Sequence, residues 1–169
     1  MRNLVFIYGV PGSGKTFISR KMADSLNLSL LEADTLKDEL RKLTTKEESP
    51  FLFLGTCQAY RYFGESNEEN IVKGLKSVRQ ALHDRVDKEI EIRDDLMVEG
   101  AFLDPNLLIE RGKIILVITS NEEQHRKQFF EHRDDNEDNR NEFRVARIIQ
   151  EFLIKEAKNL PVEVIENDK

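Results

Sequence analysis

One stretch, Gly9-Val10-Pro11-Gly12-Ser13-Gly14-Lys15-Thr16, constrains this chain more than any other. It follows the pattern Gly-x-x-x-x-Gly-Lys-Ser/Thr. On one side stands a continuous apolar run, Leu4–Tyr8; on the other, Ile18, Met22 and Leu26 recur every four residues. The run reads as a strand buried on both faces and the recurrence as an amphipathic helix. Glycines let the backbone turn tightly enough for successive N–H groups to converge on one point, and the helix that follows presents its positive end to the same point. Gly9, Val10, Pro11, Gly12, Ser13, Gly14, Lys15 and Thr16 are therefore expected to bind the phosphates of a nucleoside triphosphate. Lys15 would reach the β- and γ-phosphates and the Thr16 hydroxyl would ligate a metal, so the expected cofactors are ATP and Mg²⁺.

The rest of the chain alternates in the same way. Leu28–Leu31, Leu96–Val98, Ile114–Ile118 and Val162–Ile165 are short apolar runs of strand length. Between them, Thr35 with Asp38 marks a capped helix running to about Leu43. Ser66 with Glu69 opens the longest helix, along Ile71, Leu75, Val78, Leu82, Val86 and Ile90. Ser120 with Glu123 opens another, reaching about His132, and Phe143, Ala146, Ile149, Phe152 and Leu153 mark the last. Strands separated by helices pair in parallel, which predicts an α/β fold of three layers with a central, mostly parallel five-stranded sheet. The 169 residues read as a single domain over 1–169. Residues 44–65, with Pro50, Gly55 and Gly64, read as an irregular or partly helical insertion, and 133–141 as a polar interruption between helices.

Charge narrows the partners. With 26 basic and 32 acidic residues the net charge is −6, so no global positive field would gather nucleic acid or anionic lipid. The opening apolar run is too short to span a bilayer or to serve as a signal peptide, so no membrane association is expected. Cys57 is the sole cysteine, which excludes an internal disulfide, fits a reducing cytoplasmic setting, and reads as a small partly buried residue.

In open α/β sheets ligands sit beyond the carboxyl ends of the strands. Asp34 just after the second strand and Glu99 at the end of the third occupy that edge. Glu99 suits Mg²⁺, directly or through water, beside Thr16; Asp34 suits orienting an acceptor hydroxyl or taking its proton. Asp34 could equally cap the following helix. Arg126 and Arg133, seven residues apart, share a helix face, and Arg140 lies beyond them. A polar segment over 126–141 carrying these arginines reads as a lid that would close over ATP and spread transition-state charge, against the alternative of a solvated charged surface.

Further runs carry a family resemblance. Asp34-Thr35-Leu36-Lys37-Asp38-Glu39-Leu40-Arg41, Ile71-Val72-Lys73-Gly74-Leu75 and Val98-Glu99-Gly100-Ala101-Phe102-Leu103-Asp104-Pro105 are three of them. His125-Arg126 with Phe129 and Arg133, and later Arg147-Ile148-Ile149-Gln150, are the others. Together they resemble the 2-phosphoglycerate kinase family, within the nucleoside-monophosphate-kinase-like group of P-loop kinases. The resemblance implies a P-loop kinase fold and transfer of the ATP γ-phosphoryl group to 2-phosphoglycerate. It makes Lys15, Asp34, Arg126 and Arg133 catalytic candidates. Asp34, Arg41 and Glu99 become acceptor-binding candidates within a region spanning 34–65, Arg41 meeting the acceptor's phosphate or carboxylate. One departure is Phe102, which stands where the family's Glu-Gly-x-His-Leu-x-Pro run has histidine.

Two other functions compete with a small-molecule kinase. A nucleotide or nucleoside kinase would stack a base on Phe51, Phe53, Tyr60, Tyr62 or Phe63, which could instead be core. A nucleotide-dependent switch would need no acceptor, but no Asn-Lys-x-Asp guanine-reading run is present.

Overall fold

A computed structural model describes residues 1–167. Strands β1 (Asn3–Tyr8), β2 (Ser29–Glu32), β3 (Asp95–Glu99), β4 (Lys113–Ile118) and β5 (Val162–Glu166) form one parallel sheet in the order β2-β3-β1-β4-β5. The helices are α1 (Lys15–Leu26), α2 (Asp34–Arg41), α3 (Glu68–Glu91), the single-turn α4 (Pro105–Leu108), α5 (Glu122–Phe130) and α6 (Glu137–Ala157). The expected α/β architecture is therefore the observed one. Among the described residues no helix is long and apolar enough to cross a membrane.

Why the strand runs lack polar alternation is visible in the layers. Successive side chains of a strand point to opposite faces. Leu4, Phe6 and Tyr8 of β1, Leu96 and Val98 of β3, and Ile114, Leu116 and Ile118 of β4 enter the larger core beneath α3 and α6. The residues between them, Val5, Ile7, Met97, Ile115 and Val117, enter a second core on the α1 side with Ala23, Leu28, Ile18 and Met22. Both faces are covered, so both sets must be apolar. The register sets Ile7 beside Glu99 and Tyr8 beside Leu116, which brings the end of β3 level with the end of β1 just before the glycine-rich loop.

Helix starts differ from expectation by a residue or two, for one physical reason. Asparagine side chains, at two of the three starts rather than the serine just before, accept from the third amide along. Asn67 accepts from Asn70 N at 2.9 Å, Asn121 from Gln124 N at 2.8 Å and Asn136 from Asn139 N at 2.8 Å. Ser120 is turned instead to Glu166, and Ser66 receives Arg144. The capping box at Thr35 is absent: α2 starts one residue earlier, at Asp34, and Thr35 Oγ1 donates back to Glu32 O at 2.8 Å. Half of the polar run 133–141 belongs to α6, so the interruption between α5 and α6 shrinks to 131–136.

The 44–65 insertion is irregular with two 3₁₀ turns, Pro50–Leu52 and Ala59–Tyr62. Its second turn lies on α3 at Gly74, where an added Cβ would stand 2.6 Å from Tyr60 N and 2.7 Å from the Ala59 carbonyl carbon. That approach explains a glycine inside a long helix. Gly74→Ala would improve helix propensity by about 1 kcal/mol in isolation. Backbone, not a flexible side chain, blocks the methyl group, so overpacking outweighs that gain. The variant is expected to lose about 2 kcal/mol of stability in denaturant unfolding; a stabilised variant would show that the insertion does not seat on α3 here.

Candidate active site

The loop leaves β1 at Tyr8, and α1 begins at Lys15. Gly12 and Gly14 adopt φ of +80° and +92°, and a Cβ on Gly12 would stand 2.9 Å from the Phe129 Cα, so both conformation and space demand glycine. Three consecutive loop carbonyls are held from behind by other elements. The Pro11 carbonyl lies 2.9 Å from His125 Nε2, the Gly12 carbonyl 2.6 Å from Gln128 Nε2, and the Ser13 carbonyl 3.1 Å from both Thr119 Oγ1 and Asn167 Nδ2. Of the N–H groups on the same peptides, that of Ser13 donates to the Val10 carbonyl at 3.1 Å, which leaves those of Gly12 and Gly14 for a ligand. The first-turn amides of α1 lack carbonyls four residues back and join them.

His125 shows how deep this support runs. It is fully buried, and its Nδ1 faces Arg147 Nη1 at 3.3 Å. An arginine can only donate, so Nδ1 accepts, the proton sits on Nε2, and Nε2–H donates to Pro11. Desolvation, the largest influence, and the Arg147 charge hold this histidine below its ordinary pKa; the Pro11 bond pulls the other way. Arg147 and Gln150 of α6 also donate to the Thr119 carbonyl, each at 2.9 Å, which ties the end of β4 to α6.

The end of β3 supplies the acidic side of the loop. Glu99 is buried, 3.8 Å from Lys15 Nζ. Desolvation raises its pKa, and the Lys15 charge and the nearby Thr16 hydroxyl oppose that rise. A hydroxyl and a carboxylate side by side are hard oxygen donors suited to Mg²⁺, which commonly takes one or two protein ligands and completes its shell with phosphates and water. Among the described residues no group of three acidic, histidine or cysteine side chains gathers as a metal site. Asp34 is exposed at the start of α2, whose N-cap Ala33 provides no side-chain cap. Its carboxylate makes no hydrogen bond or ion pair among the described residues, so the helix does not use it as a cap.

Two cavities open on the loop. One, about 470 Å³, is lined by Phe17, Gln128, Glu131, His132 and Asn167 besides the loop. The other, about 350 Å³, lies toward α2 and the insertion and is lined by Asp34, Lys37, Thr56, Gln58, Phe102 and Glu142 among others. Gly12, Lys15, Thr16 and Arg133 line both. Arg133 is held by its Nη1 bond to the Phe129 carbonyl at 2.8 Å and by stacking 4.2 Å over the Phe129 ring.

Not every residue singled out from the sequence reaches these cavities. Arg126 lies 4.8 Å over Phe130 and 3.7 Å from Asp135, and Arg41 donates to the Leu52 carbonyl and to Asp38; neither lines a cavity. Glu99 sits behind Lys15 and Thr16 rather than in the second cavity's wall. Phe51, Tyr62 and Phe63 stack on one another, and none of the insertion aromatics lines a cavity. Cys57, expected to be partly buried, is buried in the wall of the second cavity, and burial pushes its thiol up to about 12.

Thr119, Gln128, Asn167, Gln58 and Glu142 were not singled out for a role from the sequence, and His125 and Lys37 only as parts of runs. Each is polar or charged with no motif around it. A signal was available for Thr119: a hydroxyl directly after a strand-length apolar run, at the sheet edge where ligands bind.

A family model described as an AAA domain matches residues 4–131. The 2-phosphoglycerate kinase of Methanocaldococcus jannaschii is 22% identical over 181 residues, covering 98% of this chain and 59% of its own length. The mevalonate-3-phosphate 5-kinase of Thermoplasma acidophilum is 26% identical over 112 residues, 63% of this chain and 54% of its own. Among solved structures, shikimate kinase from Bacteroides thetaiotaomicron superposes with a TM-score of 0.62 at 14% identity, covering 100% of this chain and 89% of that one. This last likeness bears out the P-loop kinase fold. The chain spans about three fifths of the length of the 2-phosphoglycerate kinases it matches.

His125 makes stability pH-dependent. The unfolded chain takes a proton at the ordinary histidine value of 6.5, whereas the folded chain resists it. The contribution is complete above that value and is lost as pH falls through the lowered folded-state value. Denaturant unfolding from about pH 7.5 to about pH 5 should show a steeper loss for the native chain than for His125→Gln, whose amide does not titrate; parallel curves would refute the neutral, buried imidazole.

Proposed function

The chain belongs to the family described as an AAA domain, and from that premise we propose that it is an ATP-dependent kinase acting on a hydroxyl of a small anionic acid. The carrying observation is the sharing of Lys15, Thr16, Gly12 and Arg133 by two cavities. A triphosphate whose tail lies on the loop, entering from the larger cavity, places its terminal phosphoryl group where the second cavity begins. An acceptor in the second cavity then faces it across the Lys15 and Arg133 cations.

In this reading the protein works by positioning and charge. Loop amides and Lys15 hold the phosphate chain, and Arg133 meets the phosphoryl oxygens while they pass between donor and acceptor. Asp34, unengaged by its own helix, orients the acceptor hydroxyl and takes its proton. Thr16 and Glu99 would hold Mg²⁺, which neutralises phosphate charge when bound. Residues 126–141 form the lid, with Arg126 fastening it through Phe130, Phe143 and Asp135. The acceptor class draws on the curated relatives, whose names specify 2-phosphoglycerate and mevalonate-3-phosphate, both hydroxy acids. 2-Phosphoglycerate is the first acceptor to assay. A nucleoside acceptor finds less support, because no insertion aromatic lines the second cavity. A switch without an acceptor leaves that polar cavity unexplained.

The arginines separate the roles. Arg133→Ala should lower kcat by about 10³-fold with little change in ATP affinity, as for other arginines acting on a transferring phosphoryl group. Arg126→Ala, which removes a fastening rather than a contact, should cost about tenfold or less. Labelled ATP with 2-phosphoglycerate, mevalonate-3-phosphate and a nucleoside monophosphate panel provides the assay. Transfer to none of them, in a protein that still binds ATP, would overturn the reading.

A further inference from the structure

We propose that Lys37 is the residue that binds the acceptor's anionic group, a reading that rests on the kinase function above. Lys37 lies on α2, one turn after Asp34, and in the wall of the second cavity. Its side chain is 5% exposed, yet no carboxylate stands within ion-pair distance of its ammonium among the described residues. One donor goes to the Leu54 carbonyl at 2.6 Å, anchoring the insertion; an ammonium has three. Burying a charge without a counter-ion is costly, and such charges in proteins are nearly always paired. A lysine kept desolvated at the wall of a polar cavity, beside the residue that orients the hydroxyl, is complete only when an anion arrives.

Arg41, the residue that the family resemblance assigns to this task, is engaged by the Leu52 carbonyl, Asp38 and the Phe53 ring outside the cavity. The remaining groups facing the cavity divide the work. Lys15 and Arg133 belong to the transferred phosphoryl group. Gln58 donates to Glu142 at 2.5 Å, and this pair offers oxygen acceptors to acceptor hydroxyls rather than a welcome to an anion. Lys37 is thus the cation left for a carboxylate or phosphate on the acceptor. Burial, and next the neighbouring Arg41 charge, lower its pKa to about 8, against Asp34 and Asp38, which raise it. Across the cavity Lys15 and Arg133 are cationic, Glu142 is anionic, and Cys57 titrates only near 12. An anion bound at Lys37 would draw its proton back.

The test begins with whichever acid the native chain phosphorylates, 2-phosphoglycerate being the first probe. Lys37→Met should raise KM for that acid about 10- to 100-fold, the loss of a charge-assisted hydrogen bond, with KM for ATP unchanged within about twofold. In the native chain the acid's KM should rise as pH passes about 8, and Lys37→Arg, whose charge does not titrate there, should flatten that rise. The arginine variant decides the matter if Lys37→Met fails to fold for want of the Leu54 anchor. Calorimetry adds a readout that a structural lysine would not move: binding of the acid near pH 8.5 should take up protons in the native chain and not in Lys37→Arg. An unchanged acid KM in Lys37→Met, or identical pH profiles in native and arginine forms, would overturn the assignment and leave the kinase intact. Phosphorylation of no acid at all would instead bring down the kinase reading on which it stands.

Discussion

Holding three successive loop carbonyls away from the cavity is the constraint on which the rest of this structure depends. A peptide N–H can face a phosphate only if the peptide's carbonyl faces elsewhere, and a buried carbonyl that faces elsewhere needs a donor. His125, Gln128, Thr119 and Asn167 are those donors. They come from α5, the end of β4 and the residue after β5, elements far apart in sequence that the parallel sheet brings to one edge. The loop is therefore shaped as much by what lies behind it as by its own glycines. Ordering it before the ligand arrives removes a cost that binding would otherwise carry.

The same edge concentrates positive charge in a chain of net charge −6. Lys15 has Glu99, Arg133 has the face of Phe129 and a carbonyl, and Lys37 has a carbonyl alone. Lys15 thus keeps a long ion pair, while Arg133 and Lys37 have no carboxylate partner among the described residues. By contrast, Arg79 is buried and bound in bidentate fashion to Glu156, at 2.9 and 3.0 Å, and has no charge left for a ligand. Buried pairs neutralised in this way hold the fold, while half-satisfied cations at a cavity wall are poised for anions.

Much of the fold was legible because each strand carries its signal locally. Runs without polar alternation imply cover on both faces, and the two cores flanking β1, β3 and β4 provide it. Two helix starts were displaced because Asn67 and Asn121 each follow a serine that equally fits the capping pattern. The loop, Asp34 and Glu99 were legible because a motif and the position of strand ends name them. Lys37, Gln58 and Glu142 were not, because their meaning comes from a cavity formed by α2, the insertion and α6 together, and no window of sequence contains all three elements. Arg126 and Arg133 share a helical period, but α5 ends between them at Phe130, so only Arg133 turns back to the loop.

That last difference bears on how one scaffold serves different acceptors. Behind the loop, His125 and Thr119 are buried and hydrogen-bonded, so most substitutions there would leave an unpaired polar group. The second cavity is walled by an insertion that rests on α3 at Gly74 and on α2 through the Lys37 bond to Leu54. Leu52, Cys57, Ala59 and Tyr60 of that insertion belong to the larger core, whereas Gln58 faces the cavity. On the proposed reading, phosphate binding is bound up with folding, whereas the acceptor is met by side chains of α2, the insertion and α6.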